Sequence, residues 1–136
     1  MGVKASKEAI DLGIVTTNED AMMTFYRDVL GFKHDGDVSM EKVGIKVMHF
    51  LRFGKSVIKL VIPAQKPNAR PAPGGFTGGT GYRYWTMTIE NLDEVMRDVE
   101  TAGRKVVWPR TEVSPGVFAG MVEDPDGNWV EFIERT

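Results

Sequence analysis

DLGIVTTNEDAMMTFYRDVLG, residues 11–31, and YWTMTIENLDEVMRDVETAG, residues 84–103, read as one passage written twice. Asn18 falls on Asn91, Asp20 on Asp93 and Met23 on Met96, an offset of 73 residues. Working outward, each opening is followed by strand-like runs. The last of these in the first copy, SVIKLVI at 56–62 after the Gly54-Lys55 turn, matches NWVEFIE at 128–134 after Asp126-Gly127. The repeat therefore pairs Asp11 with Tyr84 and Lys59 with Glu131.

The residues of each copy predict the elements βαβββ. Ile10 to Thr16 is rich in β-branched and aliphatic residues. Asn18 then offers an N-cap before Ala21, Met22, Phe25, Tyr26, Val29 and Leu30 at helical spacing, and Gly31 ends the helix. Strands follow at 32–40, 45–53 and 56–62, the last two joined by the Gly54-Lys55 hairpin. In the second copy a strand over 82–89 leads to Asn91 and a helix with Leu92, Val95, Met96 and Val99 on one stripe, stopped by Gly103. Strands at 106–110, 117–123 and 128–134 complete it, the last two separated by the Asp124-Pro125-Asp126-Gly127 turn. The stretch between, 63–81, is crowded with proline and glycine and reads as a connection. The expected organisation is one domain, 1–136, with module one at 8–62, linker 63–81 and module two at 82–136. The fold class is α+β.

Parity then sorts the strand residues. A helix covers one face of each sheet, so alternate residues face the helix or the opposite side. With a two-residue turn at Gly54-Lys55, Phe53 pairs with Ser56, Phe50 with Lys59 and His49 with Leu60. An ammonium is excluded from the helix side, so Val57, Lys59 and Val61 belong to the other face, with Met48, Phe50 and Arg52 across from them. The same rule sends Val130 and Phe132 to the helix and Trp129, Glu131 and Ile133 to the open face. Trp85 shares parity with helix-facing Met87. Two curved sheets joined side by side are expected to enclose a cup-shaped cavity.

Composition excludes several classes of function. The chain has 136 residues, 42% apolar and 26% charged, with a formal net charge of -2. It is large enough to bury roughly two-thirds of its unfolded surface and carries no excess of positive charge for nucleic acid or anionic lipid. Cysteine is absent, which removes thiolate catalysis, disulfides and cysteine-ligated metals. No run of 18 apolar residues occurs, and the N-terminus lacks a long apolar core, so a cytoplasmic protein without a membrane span is expected. Met1-Gly2 with Ser6 fits the short myristoylation pattern, but no polybasic second anchor accompanies it and it is read as chance.

FYRDVLGF at 25–32, IENLDEV at 89–95 and EDPDGNWVEFIE at 123–134, in that order inside a βαβββ repeat, resemble the vicinal oxygen chelate superfamily. That superfamily includes glyoxalase I, extradiol dioxygenases, methylmalonyl-CoA epimerases, fosfomycin-resistance enzymes and bleomycin-resistance proteins. The resemblance covers nearly the whole chain and implies a small-molecule ligand or substrate and, with sheet edges that need cover, a homodimer. It also implies metal ligands on the first and last strand of each module, which here fall on Asp11, Lys59, Tyr84 and Glu131. Lys59 departs from the pattern, because an ammonium has three donors and no acceptor. No cofactor is therefore expected; a divalent metal, if bound, would use Asp11 and Glu131, with His49 as a third candidate. The chain's two histidines, His34 and His49, are read first as packed or solvated side chains.

The four positions can instead form a self-neutralising cluster, Lys59 offsetting Asp11 and Glu131 while Tyr84 offers a hydroxyl. That chemistry suits lyase- or isomerase-type proton transfer, with Glu131 as general base and Lys59 or Tyr84 meeting the charge that develops on oxygen. Met48, Phe50, Arg52, Trp129 and Met121 are the expected ligand-binding side chains. Arg83 and Arg110 are also anion-binding candidates, but only Arg52 has open-face parity. A structural alternative makes the cluster an ion-pair knot at the pseudo-twofold seam. Two functional alternatives remain: a metal-free ligand-sequestering protein like the bleomycin-resistance proteins, and a metal-dependent lyase or dioxygenase with atypical ligands. GGFTGGTG at 74–81 enters a strand without a following Lys-Ser or Lys-Thr, so it reads as linker or flap rather than a phosphate loop.

Overall fold

The structure, a computed structural model, describes residues 2–136. Met1, where the expected domain and the myristoylation pattern both begin, lies outside the described residues. Two compact units divide the chain, one ending at Asn68 and the other running Ala69–Thr136. The division falls inside the expected linker, and most of that segment belongs to the second unit.

The first unit contains β1 (Leu12–Val15), a helix that starts as α1 (Glu19–Met23), then β2 (Lys33–Met40), β3 (Ile45–Phe53) and β4 (Ser56–Pro63). Its sheet has the order β1-β4-β3-β2, with β1 parallel to β4 and the other pairs antiparallel. The second unit repeats this with β5 (Tyr84–Thr88), α2 (Leu92–Thr101), β6 (Val106–Ser114), β7 (Val117–Glu123) and β8 (Trp129–Arg135) in the order β5-β8-β7-β6. This is the expected pair of βαβββ modules, an α+β fold with two open mixed sheets. Among the described residues no helix is long and apolar enough to cross a membrane.

The hairpin arithmetic holds residue by residue. Phe53 pairs with Ser56, Phe50 with Lys59 and His49 with Leu60. Ile58, Leu60 and Leu51 are buried, at 2%, 0% and 0% exposure, while Lys59 and Val57 are half-buried. Each such aliphatic side chain contributes about 1.5–3 kcal/mol by leaving water. In the second unit Val130 and Phe132 are buried, and Leu92, Met96 and Val99 of α2 are too.

Several boundaries differ from expectation. β1 and β5 are shorter than predicted, so Asp11 precedes β1 and Tyr84 opens β5. β6 continues to Ser114, four residues past Arg110. The first helix does not stay α-helical to Gly31, because Thr24–Val29 is π-helical and Leu30 N–H donates to the Phe25 carbonyl at 2.9 Å. A wider turn lets the adjacent rings of Phe25 and Tyr26 both enter the core, at 1% and 0% exposure and in edge contact at 4.9 Å. Asn18 and Asn91 occupy the N-cap positions but make no side-chain capping bond. Their carbonyls accept from Met22 and Val95, and Asn91 Nδ2 donates to Glu94.

Candidate functional site

In the first unit Lys59 projects from β4 opposite Gly13 of β1 and Phe50 of β3. Gly13 leaves open space beside the ammonium stem, since nothing lies within 4 Å of where its Cβ would stand. Asp11, just before β1, takes its contacts locally: Lys7 Nζ donates to Oδ1 at 2.7 Å and Val57 N–H donates to the same oxygen at 2.9 Å. The Lys7 hydrogen bond, helped by the Val57 amide and the charge of Lys59, holds the Asp11 carboxyl below its ordinary range despite partial desolvation. Its direct ion pair is with Lys7, while Lys59 acts on it through charge alone. Asp11 reads as a strap on the sheet edge, binding the N-terminal segment to β4.

Met48 and Arg52 lie across from Val61 and Val57. Arg52 Nε donates to Asp35 at 2.7 Å, so its guanidinium already has a carboxylate. The other arginines are also engaged. Arg83 donates to the Gly75 and Ala72 carbonyls at 2.7 and 2.6 Å, and Arg110 stacks 3.8 Å over the Phe118 ring near Asp93.

In the second unit Glu131 is half-buried on β8, in register with Thr86 of β5 and Met121 of β7. The Thr86 hydroxyl donates to its Oε1 at 2.6 Å. That bond occupies one carboxylate oxygen and orients the group. Sequence reasoning gave this task to Tyr84 and missed Thr86, although Tyr84, Thr86 and Thr88 share the parity of the open face. Met121 is fully buried beside Glu131.

Tyr84 joins an aromatic group instead. Its register partner is Trp129, and Phe76 meets both rings edge-on at 5.1 Å. Phe76 comes from the expected linker, where Gly75–Thr77 form a short 3₁₀ turn pinned by the two Arg83 bonds. Gly75 is buried so tightly against Trp129 that an added Cβ would meet the indole at 2.3 Å. The Trp129 indole N–H donates to Glu123 at 3.2 Å, fixing the ring that receives this turn. Tyr84 and Phe76 stay about half exposed, at 48% and 53%. The second unit thus carries an oriented carboxylate and an accessible aromatic surface on adjacent strands.

The residues at the superfamily's four ligand positions do not fit a divalent cation. Lys59 brings a positive charge and no lone pair, and Asp11 Oδ1 is engaged by two donors. Only Glu131 is a ready ligand. The histidines lie elsewhere, both in the first unit. His49, helix-facing as parity requires and 11% exposed at its side chain, contacts Asp37 through Nδ1 and Glu19 through Nε2, each at 2.6 Å. Partial burial pulls its pKa down, but the Glu19 and Asp37 carboxylates outweigh this and leave it raised. His34 Nε2 reaches the same Asp37 oxygen at 2.6 Å, and the two imidazoles together lower the Asp37 pKa.

Solved structures share this fold. A glyoxalase family protein from Enterococcus faecalis aligns with TM-score 0.67 at 22% identity, over 96% of this chain and 97% of its own. One from Bacillus cereus aligns with TM-score 0.78 at 18% identity, over 98% and 96%. The trypanothione-dependent glyoxalase I of Leishmania major aligns with TM-score 0.71 at 18% identity, over 91% and 84%. No curated protein sequence matches significantly. The profile of one superfamily spans residues 10–132, from just before β1 to within β8, and on that match the chain belongs to the Glyoxalase/Bleomycin resistance protein/Dioxygenase superfamily.

Proposed function

We propose that this protein is an enzyme of the lyase or isomerase type that moves a proton on a small molecule, with Glu131 as the general base. The observation that carries the reading is the Glu131 carboxylate, half-buried and held by Thr86 at 2.6 Å, on a strand face shared with Trp129. A positioned carboxylate removes a proton from a hydroxyl-bearing carbon next to a carbonyl, and the electron pair moves onto the carbonyl oxygen, which takes up a proton; the original hydroxyl then loses its proton and becomes the new carbonyl as the same carboxyl returns its proton to the former carbonyl carbon. No oxidant or reductant is consumed. Tyr84, in the same unit, is the proposed partner of the oxygen charge, and Trp129 and Phe76 are the proposed surface for the apolar part of the substrate. Asp11 has a supporting part, through the strap to β4. Homodimerisation belongs to the same proposal, as does a cytoplasmic setting.

The half-exposed aromatic group also favours a second reading, in which the protein sequesters a ligand without changing it. A thermal-shift screen against dicarbonyls, catechols, acyl-CoA esters and antibiotics identifies compounds that stabilise the fold. Turnover is then measured for each. Glu131→Gln is expected to lower kcat by about 10²–10⁴-fold, the usual contribution of a general base. Tyr84→Phe should lower kcat/KM as well. If both variants turn over an identified substrate like the wild type, the proton-transfer reading is lost; stabilisation with no turnover of any ligand favours sequestration.

A further inference from the structure

The first unit carries a second cluster that the proton-transfer reading does not use. His34 and Asp37 of β2, His49 of β3 and Glu19 of α1 meet on the helix-facing side of the sheet. Asp37 and His49 are direct register partners, and His34 pairs with Leu51, two residues along β3 from His49. Residues three apart on a regular strand face opposite sides. The register shift between His34 and Gly36 inserts Asp35 as an extra residue, which brings His34 and Asp37 onto the face of His49. Asp35 leaves this group and pairs with Arg52.

We propose that His34, Asp37 and His49 form a binding site for a divalent transition metal, zinc by chemical preference, with Glu19 as the positioning residue behind His49. The three side chains each present one ligand atom, and these atoms lie within 4.8 Å of one another. Tetrahedral zinc with bonds of about 2.0–2.2 Å separates neighbouring ligand atoms by roughly 3.4 Å. Opening the 2.6 Å contacts by less than an ångström therefore admits the ion.

Glu19 supplies an independent argument. Its Oε2 lies 2.6 Å from His49 Nε2, on the far side of the ring from Asp37. With the proton held on Nε2 by Glu19, the Nδ1 lone pair points toward Asp37 and His34, which is the carboxylate–histidine–metal relay of protein metal sites. Two carboxylates and two neutral imidazoles also balance a dication. Imidazole donors favour zinc, nickel or copper over magnesium and calcium. Side-chain exposures of 28% for His34 and 45% for Asp37 leave an approach for the ion and a position for water. The site shares no residue with Asp11, Lys59, Tyr84 or Glu131, and its effect is to clamp α1 to β2 and β3.

The test uses the full chain, purified without a histidine tag and freed of metal by chelator and dialysis. Cobalt(II) is titrated with visible absorption as the readout, and zinc(II) by calorimetry. One cobalt per chain with the intense bands of a four- or five-coordinate ion is expected, displaced by zinc. His34→Ala, a change at the exposed rim, and Asp37→Asn should each weaken binding at least a hundredfold while retaining the wild-type circular dichroism. Glu19→Gln should weaken it about 10–100-fold and keep the cobalt bands. Glu131→Gln should bind as the wild type, which separates this site from the proposed catalytic one. Wild-type protein without inner-sphere cobalt bands, or equal affinity in wild type, His34→Ala and Asp37→Asn, overturns the assignment.

Discussion

Replacing Gly75 with alanine tests whether the 72–78 segment is a seated part of the second unit or a passive connection. Two costs add. Gly75 has φ +54°, where a side chain costs roughly 1–2 kcal/mol because Cβ crowds the following carbonyl. The new Cβ would also stand 2.3–2.4 Å from three indole atoms of Trp129, roughly 1.2 Å inside the optimal carbon separation of about 3.5 Å. The indole cannot retreat cheaply, being hydrogen-bonded to Glu123 and packed on Phe76. Overpacking of this kind costs about 1–3 kcal/mol. Gly54→Ala is the control, because Gly54 has nearly the same φ, +58°, and nothing within 4 Å of its Cβ position. Urea unfolding followed by circular dichroism should show a loss of about 1–2 kcal/mol for Gly54→Ala and about 2–5 kcal/mol for Gly75→Ala. If the turn instead lifts off locally, Trp129 emission shifts and the amides of residues 76–78 exchange faster. Equal unfolding midpoints for the two variants, with unchanged emission and exchange, would refute a seated turn.

Asp124 is 3% exposed and accepts from the Asp126 and Asn128 amides and from Asn128 Nδ2 at 2.9–3.0 Å, closing the β7–β8 turn that sets up Glu131. Asp124→Ala should cost about 2–4 kcal/mol in urea unfolding, because it orphans charge-assisted bonds in a buried turn, and Asp124→Asn should cost less. The Asp11 carboxyl is depressed in the folded chain, chiefly by Lys7, so it binds protons more weakly there than when unfolded. Its contribution to stability is therefore present above the unfolded value near 3.8 and is lost as pH falls through the lower folded value. The stability gap between wild type and Asp11→Asn should close on acidification from pH 6 to pH 3 and narrow in high salt; a gap constant across that range would contradict the pairing.

Much of the fold was legible because strand periodicity is strict. Once the Gly54-Lys55 turn was placed, alternation determined that Leu60 packs under the helix and Lys59 does not, and every pair from Phe53–Ser56 to Phe50–Lys59 followed. The site was less legible wherever geometry departs from a simple period. The extra residue at Asp35 puts His34 and Asp37 on one face, where a regular strand would separate them, and the π-helical turn changes the phase of Phe25 and Tyr26. Asp11 choosing Lys7, four residues away, was within reach of sequence reasoning, but helical spacing was not expected there.

By itself the sequence determined the duplicated βαβββ scaffold, the strand register and the faces on which Lys59 and Glu131 lie, because hydrophobic alternation and turn chemistry are local. Only the tertiary structure decided the partners: Thr86 for Glu131, Phe76 and Trp129 for Tyr84, and Glu19 with Asp37 for His49. Hydrogen bonds and ring contacts depend on where a bulge, a pinned loop or a helix start places a side chain to within an ångström. Those placements arise from packing between segments distant in the chain, and no residue pattern encodes them alone.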